Sequence, residues 1–267
     1  MIIKEINCKT LLNKSKIEDY CINCYIGCSH SCKYCYAEFI TRKMTSHKEE
    51  WGSFVDVKIN APNILREEIK RKKKGKVFLS SLTDPYQPIE KKYELTRKCL
   101  EILLNYNFPI VVQTKSYLVL RDLDLFKKFE SCKIGFTITT LDDDIRKIFE
   151  PNSSSVEEKI KAIEILKNNG IFVYIFFGPV LPFLSDENLE EYFNKMVELN
   201  IDEVLIDKLN LKPGLWNSIR KVLETNYPKL LEEWRKILFL KNNYWDLLKK
   251  RIKRICYEKK IKYIFCY

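Results

Sequence analysis

The sequence has 267 residues, 46% hydrophobic and 31% charged, enough to bury one large core or two small ones. Its net charge of +11 is concentrated in residues 66–76, at +5, and 228–267, at +8; such runs suit a polyanion, and a solvated face is the alternative. No apolar run of about eighteen residues is present to span a membrane, and Met1–Lys16, with four lysines, lacks the pattern of a secretory leader.

A soluble, cytoplasmic chain is therefore expected, with no membrane partner. In that reducing compartment ten cysteines read as metal or redox groups, or as buried small hydrophobes, rather than disulfides. In chain order, a first strand falls just before the cluster of cysteines at Cys28–Cys35. KVFLSSL (76–82) predicts a second strand, and residues 92–106 a helix with Cys99 on its apolar face. PIVVQTKS (109–116) reads as strand, 120–130 as helix and KIGFTITT (133–140) as strand. DDDIRKIFE (142–150) follows, and the next stretch is a helix that opens at Ser155, with Glu158 three residues on, and closes at Gly170. IFVYIFF (171–177) is strand, 186–200 helix and 202–210 strand. From about residue 215 to the end the pattern is helical.

Alternation of this kind predicts parallel strands with helical crossovers. About six βα units are too few for a closed eightfold barrel. The expected fold class is α/β, an open partial (β/α)6 barrel over residues 1–210. A helical extension, 211–267, packs on it.

Cys28, Cys32 and Cys35 stand in the spacing C-x3-C-x2-C within GCSHSCKYCYA, Gly27–Ala37. Three close thiolates can hold three irons of a [4Fe–4S] cluster and leave the fourth open. An open iron can chelate the amino and carboxylate groups of S-adenosylmethionine (SAM), and an electron from the cluster can then break the adjacent C–S bond. Zinc is the competing reading, with His30 as a fourth ligand, although a histidine at this spacing fits no common zinc arrangement. His30 is otherwise a structural hydrogen-bonder, and His47 has no motif. Cys21, Cys24, Cys256 and Cys266 either form a second metal site or are buried hydrophobes. Cys8 and Cys132 stand alone.

The string NCYIGCSHSCKYCYA resembles the radical SAM superfamily, in the form found in the subfamily related to spore photoproduct lyase. TDPYQPIE (83–90), QTKSYLVLRDLDL (113–125), TITTLDDDIRKIFEP (137–151) and IFFGPVLP (175–182) resemble that subfamily in the same order. The likeness covers about residues 20–210. It implies a [4Fe–4S] cluster on Cys28, Cys32 and Cys35, with SAM as cofactor and an external one-electron reductant of flavodoxin or ferredoxin type. It implies SAM contacts from Tyr34 and Tyr36 beside the last ligand and from Ser80, Ser81, Thr83 and Asp84 toward the methionine amino group. Lys115 would meet the methionine carboxylate, Thr137 and Thr139 the carboxylate or ribose, and Phe177 and Gly178, with Pro179, the adenine.

The resemblance leaves the substrate open. A nucleic acid is one possibility, in a lyase, repair or modification reaction; a small molecule or protein side chain is another. An electron carrier without catalysis is a third. In the lyase a cysteine beside the strand after the cluster donates hydrogen to the product radical, whereas VFLSSLTDPY has serines there.

Overall fold

The short apolar runs of the sequence line up side by side in the computed structural model, which describes residues 1–267. The strands are β1 (Ile2–Ile6), β2 (Asn13–Lys14), β3 (Tyr20–Ile22), β4 (Tyr25–Ile26), β5 (Phe54–Lys58), β6 (Val77–Leu79), β7 (Ile110–Thr114), β8 (Cys132–Thr137), β9 (Phe172–Val180), β10 (Glu203–Lys208) and β11 (Tyr263–Phe265). The helices are α1 (Tyr36–Met44), α2 (Ala61–Ile69), α3 (Glu90–Tyr93), α4 (Leu95–Asn105), α5 (Leu123–Phe126), α6 (Asp143–Phe149), α7 (Val156–Asn168), α8 (Leu189–Glu198), α9 (Leu215–Asn226), α10 (Leu231–Phe239) and α11 (Tyr244–Glu258).

The larger sheet runs in the order β2-β3-β6-β7-β8-β9-β10-β11. Every pair from β3 to β11 is parallel, and only β2 is antiparallel. The six strands from β3 to β10 are those the sequence predicts. No closing pair joins β11 to β2, so the barrel stays open. A separate small sheet, β1-β5-β4, carries the segments on either side of the cysteine cluster.

Alternation along each strand builds two layers. Ile110, Val112, Ile134, Phe136, Val173, Ile175, Val204 and Ile206 face outward into the main core beneath the helices. Cys21, Phe78, Val111 and Tyr174, with Phe172 and Leu205 at the edge, form a smaller cluster inside the barrel. Gly135 makes that interior possible. A Cβ there would lie 2.1 Å from the Tyr174 ring, so only glycine lets the ring cross β8. The Tyr174 hydroxyl then donates to Val112 O at 3.2 Å.

The expected capping box on α7 is present: Ser155 Oγ accepts from Glu158 N at 3.1 Å, and Glu158 accepts from Ser155 N at 2.8 Å. Two expectations need correction. The helix at 120–130 is a 3-10 turn, Tyr117–Asp122, followed by the single turn of α5. The extension is not helical to its end, because β11 adds to the sheet beside β10. Tyr263 and Phe265 pack against the main core while Ile264 is exposed, a period-2 pattern too short to stand out among lysines.

The helices after residue 210 serve two places. Leu248, Ile252, Ile255 and Cys256 of α11 join the main core. Leu215, Ile219 and Leu223 of α9 and Trp234 of α10 pack with Phe149, Leu181, Cys32 and Tyr34. The Trp234 indole donates to Pro182 O at 2.9 Å. These two helices therefore cover one flank of the cysteine loop.

Candidate active site

The cysteine loop leaves the small sheet at Gly27, whose φ of +83° and whose contact with Phe54 O, 2.6 Å from a Cβ, admit glycine alone. Three segments grip it. Thr83 Oγ1 donates to Gly27 O at 2.6 Å, and the Gln87 amide accepts from Ser29 N at 2.9 Å and donates to Thr83 Oγ1 at 2.8 Å. Asn152 Nδ2 donates to Ser29 O at 2.8 Å, and Lys33 N donates to Phe149 O at 2.9 Å. Ser31 Oγ donates to Trp51 O at 3.0 Å. Gln87 is fully buried, so an apolar side chain there would leave several loop groups unpaired.

Cys28 and Cys32 are buried, and Cys35 is the N-cap residue of α1. Burial pushes the Cys28 thiol up to about 12, and the nearby Asp84 carboxylate and Cys35 push the same way. Burial likewise raises Cys32 and Cys35, which Lys115 opposes. Backbone N–H groups of Ala37 and Glu38 favour the Cys35 thiolate. No three His, Cys, Asp or Glu side chains are closed into a ligand cage; what the fold holds is the loop.

Lys115 lies at the exit of β7, with its ammonium 5.7 Å from the Tyr34 ring centre. Burial disfavours its charge, but Cys32, Glu150, Asp84 and Cys35 outweigh burial and raise its pKa. Glu150, fully buried, accepts from Tyr34 Oη, from Thr139 Oγ1 at 3.3 Å and from Lys159 Nζ at 3.1 Å. Burial pushes its carboxyl up, yet Lys159, Lys115 and Tyr34 hold it at about 2. Glu150 stands within a stretch the resemblance rests on, but nothing in that stretch shows which residue reaches Tyr34.

The structure brings most of the expected site residues to the C-terminal ends of the strands, where barrels of this kind build their sites. Ser80 is buried there, and Ser81 Oγ lies 3.2 Å from Cys21 Sγ, while Ser81 O accepts from Tyr36 Oη. Thr137 faces inward and accepts from Gln113 Nε2 at 3.5 Å. Three expected contacts are occupied by the protein itself. Asp84 accepts from Tyr86 N, Thr114 Oγ1 and Lys115 N at 2.7–2.8 Å, with His30 Nδ1 at 3.4 Å. Thr83 is committed to the loop, as above. Phe177 turns outward onto Tyr192, ring centres 4.3 Å apart, so only its backbone lies near the site. Gly178 begins a local irregularity opposite Asp207.

The four cysteines of the conceivable second metal site do not meet. Cys21 faces the barrel interior, while Cys24 and Cys256 lie in the outer core. Cys24 Sγ lies 3.7 Å from Cys99 Sγ instead. Opposite faces of one short segment explain the separation of Cys21 from Cys24. His47, without a motif, proves a structural strut, bonded at 2.9 Å to both Glu49 and Asp56.

The donor set fits an iron–sulfur cluster. Three neighbouring thiols have no fourth side chain closing on them, since His30 Nδ1 faces Asp84. Trp51 packs with Cys28, Ala37 and Phe54, and its buried indole N–H has no protein acceptor. Sulfur of a bound cluster is an acceptor for such a donor.

The comparisons agree. The family model described as the radical SAM superfamily matches residues 22–196. The chain belongs to the radical SAM superfamily. Among its relatives, an uncharacterised protein of Methanocaldococcus jannaschii is 40% identical over 232 residues, covering 86% of this chain and 85% of that one. A radical SAM Nα-GlyT isomerase of Pseudomonas phage M6 is 22% identical over 181 residues, 67% of this chain and 37% of that one. Among solved structures, spore photoproduct lyase complexed with dinucleoside spore photoproduct has a TM-score of 0.71 at 16% identity, over 99% of this chain and 82% of that one. SuiB of Streptococcus suis bound to precursor peptide SuiA has a TM-score of 0.59 at 14% identity, over 92% and 48%. This radical SAM protein is thus an enzyme whose cofactors are a [4Fe–4S] cluster and SAM, fed by an external reductant. Membership sets aside the electron-carrier alternative.

Proposed function

We propose that this radical SAM enzyme acts on a base within a nucleic acid, with Cys28, Cys32 and Cys35 as the cluster ligands. When bound, the cluster and SAM would supply the radical chemistry that takes hydrogen from substrate. Lys115, half-buried and kept cationic, pairs with the methionine carboxylate. Ser80, Ser81 and the inward Thr137 supply the remaining polar contacts to SAM. Tyr34, fixed by Glu150, and Tyr36, fixed by Ser81, wall the adenosyl side. Asp84 and Thr83 act one step back, by holding the loop and the Lys115 backbone.

The observation that carries the nucleic-acid reading is a row of cations on α11. Lys250, Arg251 and Lys253 are exposed with no carboxylate partner within 4 Å, and only Arg254 approaches one, Glu258 at 3.8 Å. The helix starts beside the C-terminal end of β9, where the Tyr244 hydroxyl donates to Asp186 at 2.8 Å. Unpaired cations on a helix that starts at the site end attract a phosphate backbone. That one of the similar structures is a lyase complexed with a dinucleoside supports the same reading. All ten thiols are free, in keeping with a cytoplasmic setting and a flavodoxin- or ferredoxin-type donor.

The test is anaerobic reconstitution followed by reductant, SAM and total DNA or RNA, with nucleosides read by mass spectrometry. A changed nucleoside and 5′-deoxyadenosine are expected together. Cys28→Ala, Cys32→Ala and Cys35→Ala should each abolish both. Modification of a peptide or small molecule with nucleic acid untouched would refute the nucleic-acid reading.

A further inference from the structure

We infer that Asp207 reads the substrate's base, by accepting a hydrogen bond from one of its ring or exocyclic N–H groups. The inference rests on the nucleic-acid reading above and adds the recognising residue.

The position of Asp207 follows from register. Val204 and Ile206 of β10 face the outer core, and Leu205 faces the interior cluster, so Asp207 also faces inward. It stands one step from the end of β10. There the ladder slips: Ile206 pairs with Phe177, but Lys208 pairs with Val180. Gly178 and Pro179 thus oppose Asp207 alone. An irregularity of this kind re-aims a side chain and often borders an active site. Gly178 also leaves room, because a Cβ there would lie 3.0 Å from Asp207 Cβ.

The carboxylate has no side-chain partner. Its neighbour Lys208 is drawn aside, with its ammonium 5.0 Å from the Tyr267 ring centre. The buried carboxylates at this end are, in contrast, fully engaged: Asp84 by three donors, Glu150 by four and Asp186 by two. Tyr36 from α1 lies within electrostatic reach of Asp207, as do Cys266 and Tyr267 beside β11. The Tyr267 hydroxyl is itself buried without a partner. Burial raises the Asp207 carboxyl to about 6, against which its own Lys208 backbone N–H and ammonium work. A partly desolvated carboxylate without a side-chain donor gains most from one supplied by ligand. Every nucleobase presents an N–H edge, whereas phosphate and sugar oxygens offer this carboxylate no N–H donor.

The test uses the cluster-loaded protein with SAM. Its probes are single-stranded DNA homopolymers about a dozen nucleotides long, one per base, and an abasic strand of equal charge. Binding is measured for wild type, Asp207→Asn and Asp207→Glu, each checked for an unchanged melting temperature. Wild type should prefer at least one base-bearing strand to the abasic strand. Asp207→Asn should cut that preference by about tenfold or more, and Asp207→Glu should keep part of it. If wild type discriminates and Asp207→Asn discriminates equally, the assignment of Asp207 is wrong while the nucleic-acid reading stands. If wild type binds no strand, or binds the abasic strand as well as the others, both fail.

Discussion

Glu150 shows how a single buried charge can organise the site. It joins Tyr34 beside the cysteine loop to Lys159 on α7, and its partners lie up to 116 residues away in sequence. Its carboxyl sits at about 2 rather than the ordinary 4.5. A carboxyl held low when folded stabilises the native state above its unfolded value, and that contribution drains away as pH falls from about 4.5 toward 2. Glu150→Gln removes this pH dependence and leaves Lys159, almost fully buried, without a carboxylate partner and with only Thr137 O as acceptor. The expected loss is about 3–5 kcal/mol by urea denaturation at neutral pH. Glu150→Gln with Lys159→Met should recover much of it, because no buried charge is then stranded. At this scale Cys28, Cys32, Cys35 and Lys115 could be singled out from the sequence because they stand at motif positions. Gln87, Glu150 and Trp51 were not, because each role depends on a partner that only folding brings near.

Elements were legible where they were long and periodic. The strands from β6 to β10 each alternate an outward core row with an inward row, and α4, α7 and α8 carry clear apolar faces. The small sheet was missed because β1 and β5 pair across some fifty residues and lie outside the βα rhythm. β11 was missed because three residues following a lysine-rich helix give no usable period. Its pairing nevertheless covers the edge of β10 through Val204, Leu205 and Ile206. A chain ending at residue 262 exposes that edge and loses the packing of Phe265 against the core. A lower urea midpoint and concentration-dependent association by light scattering are expected. An unchanged midpoint would show that β11 is an ornament of the sheet.

The two basic runs look equivalent in sequence, yet the fold puts them at different places. Residues 70–76 precede β6, so they lie at the N-terminal end of the strands, opposite the cysteine loop. The α11 cations lie on a helix that starts beside the loop after β9, at the site end. On the proposed reading both surfaces should attract nucleic acid at low salt, since counterion release needs only phosphates near cations. On the proposed reading only the α11 run, on the helix that starts at the site end, guides a strand whose base enters the barrel. Reversing Lys250, Arg251 and Lys253 to Glu should weaken single-strand binding, flatten its salt dependence and suppress nucleoside modification. Reversing Arg71, Lys72, Lys73 and Lys74 changes a similar total charge at the far end. It should lower non-specific binding at low salt while leaving modification at physiological salt within about twofold, because that run precedes β6 at the opposite strand ends from the cysteine loop and salt screens charges over about 8 Å. Equal loss of modification in the two variants would mean that net charge, not the placement of α11, brings nucleic acid to the enzyme.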